Sequence, residues 1–183
     1  MVIKMVYVFL AKGFEEIEAI ATIDILRRAG IDVITVSVSG GLEVTGSHNI
    51  TVKADRAILG VTLDGVDMLV FPGGPGVKNL QMSEGLKTMT LIAAKKGLGL
   101  AAICAAPSVL GAWGLLKGKK AVCFPGFEEK MIGATYTDER VVNDGGVITS
   151  KGAGTANQFA FEIVKVLKGD EVAFKIRKAM QYE

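Results

Sequence analysis

Twenty uncharged residues in a row, 97–116, lie between Lys96 and Lys117. A run of that length has to be buried. It could be a membrane-spanning helix, or a strand and a helix packed inside a domain. Glycines at 97, 99, 111 and 114, together with Pro107, argue against one continuous helix. Residues 98–103 read as a buried strand, Cys104 as a sharp bend, and residues 105–116 as the helix that follows. A side chain at such a bend is held up out of the sheet, as in the nucleophile elbow of hydrolases. The free N–H groups and positive dipole end of the next helix are then expected to lower the thiol pKa and populate the reactive thiolate. The competing reading is a buried structural thiol, since free cysteine is among the most buried residue types.

The rest of the chain repeats the pattern of short apolar run and helical segment. Residues 2–10 are apolar, too short for a membrane span, and followed by Glu15, Glu16 and Glu18 rather than by a small-residue cleavage pattern. They predict a first buried strand, not a signal peptide. A helix is expected over 15–29 with Gly30 beyond its end, then a strand over 31–38 and a hairpin or edge strands within 40–57. A strand over 67–71 runs into Pro72-Gly73-Gly74-Pro75-Gly76, and a helix is expected over 83–96. Short strands over 121–124 and within 141–150 precede helices over 156–167 and 171–180. Strand and helix alternate almost throughout, which predicts a doubly wound α/β fold around a mostly parallel sheet. The 183 residues suit one domain, 1–183.

Composition narrows the function. Lys and Arg exceed Asp and Glu by only two and are scattered, so no basic stripe marks a nucleic-acid partner. Two cysteines, Cys104 and Cys123, are too few for a disulfide framework and suit a reducing cytoplasm. Cys123 lies in an apolar stretch and reads as core. No cluster of His, Cys and acids has metal-ligand spacing. No Gly-Lys-Ser/Thr ending or Gly-x-Gly-x-x-Gly follows a strand, so neither a metal nor a nucleotide cofactor is expected.

In an open α/β sheet, sites form beyond the carboxyl ends of the strands. Three such ends carry candidates: the helix bearing Glu18, the turn at Gly73 and Gly74, and Cys104. At about 100° per residue, Glu18 shares a helix sector with Ala21, Thr22, Ile25 and Ala29, whereas Glu16 points to the opposite side. A carboxyl on a buried face has a raised pKa and can donate or shuttle a proton. The alternatives are a partly exposed Glu18 or one paired with Arg28. Gly73 and Gly74 let backbone N–H groups approach an oxyanion. His48, the one histidine, stands in the polar stretch Gly46-Ser47-His48-Asn49.

These segments together resemble the ThiJ/PfpI superfamily, most closely the branch of the parkinsonism-associated protein deglycase and its bacterial relatives. The likeness rests on Ala11-Lys12-Gly13-Phe14-Glu15-Glu16-Ile17-Glu18, Asp24-Ile25-Leu26-Arg27-Arg28-Ala29-Gly30, Phe71-Pro72-Gly73-Gly74, Ala101-Ala102-Ile103-Cys104-Ala105-Ala106-Pro107 and Thr149-Ser150-Lys151-Gly152-Ala153-Gly154-Thr155. It implies a flavodoxin-like three-layer sandwich and a homodimer. It also implies Cys104 as reactive thiol, Glu18 as its carboxyl partner, and backbone N–H groups near Gly73, Gly74 and Ala105 as an oxyanion pocket. His48, Arg28 and Phe124 are possible pocket residues. Two positions depart from the pattern. Ala105 stands where the protease-like branch has histidine, and Phe124 stands where the deglycase branch often has one. The implied activity is processing of small reactive carbonyls or glycated groups. The alternative is an oxidative-stress sensor or chaperone working through a Cys104 sulfinate. A protease-like hydrolase or a thiamine-biosynthesis role is the minor alternative.

Overall fold

The computed structural model describes residues 3–182. Val2, the start of the expected first strand, lies outside them. The chain opens with β1 (Met5–Leu10), α1 (Glu16–Arg28) and β2 (Asp32–Ser37), followed by the short strands β3 (Glu43–Thr45), β4 (Thr51–Lys53) and β5 (Arg56–Ala57). Then come β6 (Met68–Phe71), α2 (Val77–Met82), α3 (Glu84–Lys95), β7 (Gly99–Ile103) and α4 (Pro107–Ala112). The last third holds β8 (Lys120–Ala121), β9 (Thr135–Tyr136), β10 (Val141–Asp144), β11 (Val147–Ser150), α5 (Ala156–Lys168) and α6 (Asp170–Ala179).

Seven strands form the main sheet in the order β10-β11-β7-β6-β1-β2-β5, and only the β10–β11 pair is antiparallel. Alternation along each central strand feeds two separate cores. From β1, Val6, Val8 and Leu10 pack with Ile25 and Leu26 of α1 and Phe159 and Ile163 of α5. Tyr7 and Phe9 face the other way, toward Leu86 and Ala93 of α3 and Val109 and Leu110 of α4. Phe9 stacks on Phe71 of β6 with ring centroids 5.4 Å apart. Each such side chain contributes roughly 1.5–3 kcal/mol on burial. The result is the flavodoxin-like three-layer sandwich.

Most expected elements form, with instructive differences. The region 40–57 yields the β3–β4 hairpin, which stands apart from the main sheet, and β5, which pairs with β2 at its edge. The expected helix over 105–116 shrinks to α4. Residues 105–106 stay in the turn, and Trp113 caps a helix that Gly114 ends with φ +76°. The expected strand over 121–124 shrinks to β8, which pairs with β9 outside the main sheet, so Cys123 lies just beyond a strand. Helix α2 was not anticipated. No described helix is long and apolar enough to cross a membrane.

The strand order reverses between β1 and β6, the crevice where such sheets bind ligands. Strands β1, β6 and β7 are neighbours. Their carboxyl ends lead to Glu18, Gly73 and Cys104 respectively.

Candidate active site

Cys104 leaves β7 in the left-handed region, at φ +64°. A non-glycine residue there costs ~1–3 kcal/mol unless its surroundings hold it. Here they do. Its N–H donates to Ser150 O at 2.9 Å, and its carbonyl accepts from the Phe124 N–H at 2.8 Å. The bend lifts the thiol over the sheet edge, where the Gly74 and Ala105 N–H groups lie close enough to favour negative charge on its sulfur. Only 9% of the residue is exposed.

Glu18 reaches the same point from α1. Glu15 caps that helix, its carboxylate accepting from the Glu18 N–H at 2.7 Å. Glu18 is 1% exposed. Its Oε2 accepts from the Gly73 N–H at 2.8 Å, while Oε1 is buried without a hydrogen-bond partner of good geometry. Burial raises the carboxyl pKa to about 7, against the opposing pull of the Gly73 N–H and the Cys104 thiol. Gly73 is required here. A Cβ on it would lie 2.7 Å from Cys104 Cβ and 2.9 Å from Glu18 Oε2. At Gly74, φ is +89° and a Cβ would come within 2.7 Å of the Glu15 nitrogen.

The thiol corrects an expectation. Burial, the negative charge of Glu18 and the hydrogen bond to Glu18 push Cys104 up to about 12, against the Gly74 and Ala105 N–H groups. Helix α4 begins only at Pro107 and is short, so its dipole does not offset burial beside a carboxylate. Two protonation arrangements of the pair carry the same net charge. One is ionised Glu18 with a neutral thiol. The other is neutral Glu18 donating to a thiolate, and it removes both of the Glu18 causes that raise the thiol. Each group shifts the other, so their titration belongs to the pair.

The other candidates divide. Phe124, 47% exposed, lies beside the site, its backbone tied to Cys104 and its ring against Gly152. Arg28 is not part of it. Its Nε pairs with Asp24 Oδ2 at 2.6 Å on the exposed side of α1, about 15 Å further along the helix than Glu18. The suggested Glu18–Arg28 pair does not form. Cys123 is fully buried, and burial followed by the Glu128 charge raises its thiol to about 11.

His48 pairs with Glu16, not with Cys104. The helix wheel put Glu16 on the outer side, yet it is 6% exposed, because the turn after β3 folds over the start of α1. Its carboxylate accepts from the His48 N–H at 2.6 Å, His48 Nδ1 at 2.8 Å and the Ser47 hydroxyl at 3.1 Å. Burial pushes its pKa up, but these bonds hold it down at about 2. Glu16 in turn raises the pKa of His48. Glu15, Glu16 and His48 bring ligand atoms within 4.8 Å of one another, a grouping that spacing alone did not reveal. Glu15 and Gly152 were also missed as neighbours of the thiol pair, although both stand in segments that carry the resemblance.

Residues 4–166 match the DJ-1/PfpI family. The protein DJ-1 homolog B of Arabidopsis thaliana is 40% identical over 176 residues, 94% of this chain. The chain spans only 40% of that protein's length. A protein from Pyrococcus abyssi named as a deglycase is 32% identical over 165 residues, 89% of this chain and 99% of its own. The solved structure of oxidised DJ-1 from Toxoplasma gondii superposes with a TM-score of 0.94 at 38% identity, covering 98% of each chain. With a cysteine at the strand bend, a carboxyl over it and this chain-long likeness, the protein belongs to the DJ-1/PfpI family.

Proposed function

We propose that this protein is a cysteine-dependent enzyme of carbonyl stress, one domain that converts small α-oxoaldehydes to hydroxy acids with Cys104 as nucleophile and Glu18 as acid and base. The observation that carries this reading is a strained, N–H-cradled thiol set against a buried carboxyl raised to about 7, a pair placed to share one proton. The Pyrococcus relative named as a deglycase supports it.

The chemistry follows from the groups present. Glu18 holds the shared proton and leaves Cys104 as thiolate. The sulfur adds to the aldehyde carbon of methylglyoxal, a C–S bond forms, and the carbonyl electron pair moves to oxygen. The Gly74 and Ala105 N–H groups stabilise that oxygen, which takes the proton from Glu18. The Glu18 carboxylate then removes the proton from the hemithioacetal carbon to give an enediolate, the hydroxyl proton passes to the former ketone oxygen, and Glu18 returns its proton to the adjacent carbon. The first carbon is oxidised and the second reduced, giving a lactoyl thioester with no external oxidant. Water adds to the thioester, the C–S bond breaks, and lactate leaves. Glyoxal would give glycolate the same way. The test is methylglyoxal consumption with lactate detection, run on wild type and Cys104→Ala. Cys104-dependent lactate is expected; equal turnover by the variant would overturn the mechanism.

A second reading rests on the same N–H groups. A Cys104 sulfinate would be held by Gly74, Ala105 and a protonated Glu18, and would serve as a stress signal or chaperone switch without turnover. Peroxide would then add about 32 Da at Cys104 and spare Cys123. We place the protein in the cytoplasm as a homodimer. Two free thiols support the first assignment. Exposed Ile17, Ile20 and Ile50, on α1 and the turn that covers its start, support the second.

A further inference from the structure

Four phenylalanines, Phe9, Phe14, Phe71 and Phe159, are fully buried, but Phe124 leaves 47% of its surface in solvent. Its position is nevertheless tightly set. Its N–H donates to the carbonyl of Cys104 at 2.8 Å, so its backbone is tied to the nucleophile's own peptide. Its ring and the thiol flank the same bare carbon. A Cβ on Gly152 would lie 3.2 Å from Phe124 Cδ2 and 3.9 Å from Cys104 Sγ. An apolar ring held beside a reactive sulfur and left half wet has unused surface for a ligand.

The sulfur's other neighbours offer little side chain to recognise a substituent. The Gly74 and Ala105 N–H groups face the reacting atoms, Glu18 holds the proton, and Gly73 and Gly152 present bare backbone. Of the neighbours named, Phe124 is the large side chain that also reaches solvent, so a substituent on a carbonyl carbon held at Sγ has that ring to pack on as it leads out of the buried site. Recognition there is by apolar contact.

We infer that Phe124 is the specificity-determining wall of the Cys104 site, and that among α-oxoaldehydes it favours those whose substituent is aryl or similarly broad and apolar over those bearing hydrogen, methyl or a charged group. This rests on the carbonyl reading for its substrate class, but not for its test. Ring-on-ring contact is worth roughly a two- to tenfold preference beyond simple burial.

The deciding experiment follows alkylation of Cys104 by intact mass with N-phenylmaleimide and N-methylmaleimide, each rate divided by that of free glutathione. Wild type is expected to favour the phenyl reagent, and Phe124→Ala to lose that preference by roughly threefold to tenfold. Phe124→Leu, which keeps apolar bulk without a ring, should fall between them. In parallel, the ratio of kcat/KM for phenylglyoxal to that for methylglyoxal should drop in the same order, chiefly through KM for phenylglyoxal. Absence of turnover in wild type would defeat the carbonyl reading and leave the alkylation ratio to judge Phe124. An alkylation ratio unchanged in both variants would overturn the assignment, whatever turnover does.

Discussion

Glu16 and Glu18 stand two positions apart in the first turn of α1, both almost wholly buried, and the fold drives them in opposite directions. Glu16, under the turn after β3, takes three hydrogen bonds from His48 and Ser47 and falls to about 2. Glu18, in the crevice between β1 and β6, takes one from Gly73, has only the Cys104 thiol beside it as a further donor, and rises to about 7. Depth and donors act together: Glu16 lies under one surface turn and is fully hydrogen-bonded, whereas Glu18 lies deep in the crevice with few donors. The satisfied carboxylate is a structural clamp. The under-satisfied one is available for proton transfer, as functional carboxyls commonly are.

The contrast breaks most sharply in activity. Glu18→Gln keeps an acceptor for the Gly73 N–H but cannot carry the proton, so lactate formation should fall by about 10²–10⁴-fold. Glu16→Gln should leave it within a few-fold in the same assay. Denaturant unfolding reads the reverse. Glu16→Ala removes the one charged acceptor of three hydrogen bonds from Ser47 and His48 and should cost about 1–3 kcal/mol, whereas Glu18→Gln should cost little at pH 5.

The pH dependence of stability sharpens the comparison further. Glu16 has a folded pKa below its ordinary value, so its contribution is present above about 4.5 and lost as pH falls toward 2. Glu18 has a folded pKa above its ordinary value, so its contribution is present below about 4.5 and lost as pH rises through 7. Urea midpoints should therefore show an acid-side loss that Glu16→Gln flattens. They should also show a loss between about pH 4.5 and 7 that Glu18→Gln removes. The smallest effect is His48→Ala. It deletes one bond from an exposed ring and keeps the backbone N–H to Glu16, so a smaller loss than that of Glu16→Ala is expected. A loss as large as that of Glu16→Ala would mean that the imidazole, not the backbone, holds the clamp.

Some of this was legible in the residues. The apolar runs of β1, β6 and β7 announced buried strands, and glycines with Pro107 announced the bend at Cys104. The phase of Glu18 within α1 put it on the sheet side. Glu16 was misplaced because a helix wheel knows nothing of a turn thirty residues later that closes over the helix start. The direction of the Cys104 shift was missed because it depends on a carboxyl from α1 and on the depth of the thiol, both set by long-range packing. Helix α4 was overdrawn because Gly114 ends it within a run that is uniformly apolar.

The central claim is that Cys104 and Glu18 share one proton, and the rate of Cys104 alkylation against pH tests it most directly. In wild type the pair should lose its first proton near pH 7, so the rate should rise through that value and then level off well before pH 12. In Glu18→Gln the inflection near 7 should vanish, leaving one rise at the thiol's own higher pKa. Identical profiles in the two proteins would contradict the shared proton and remove Glu18 from the mechanism.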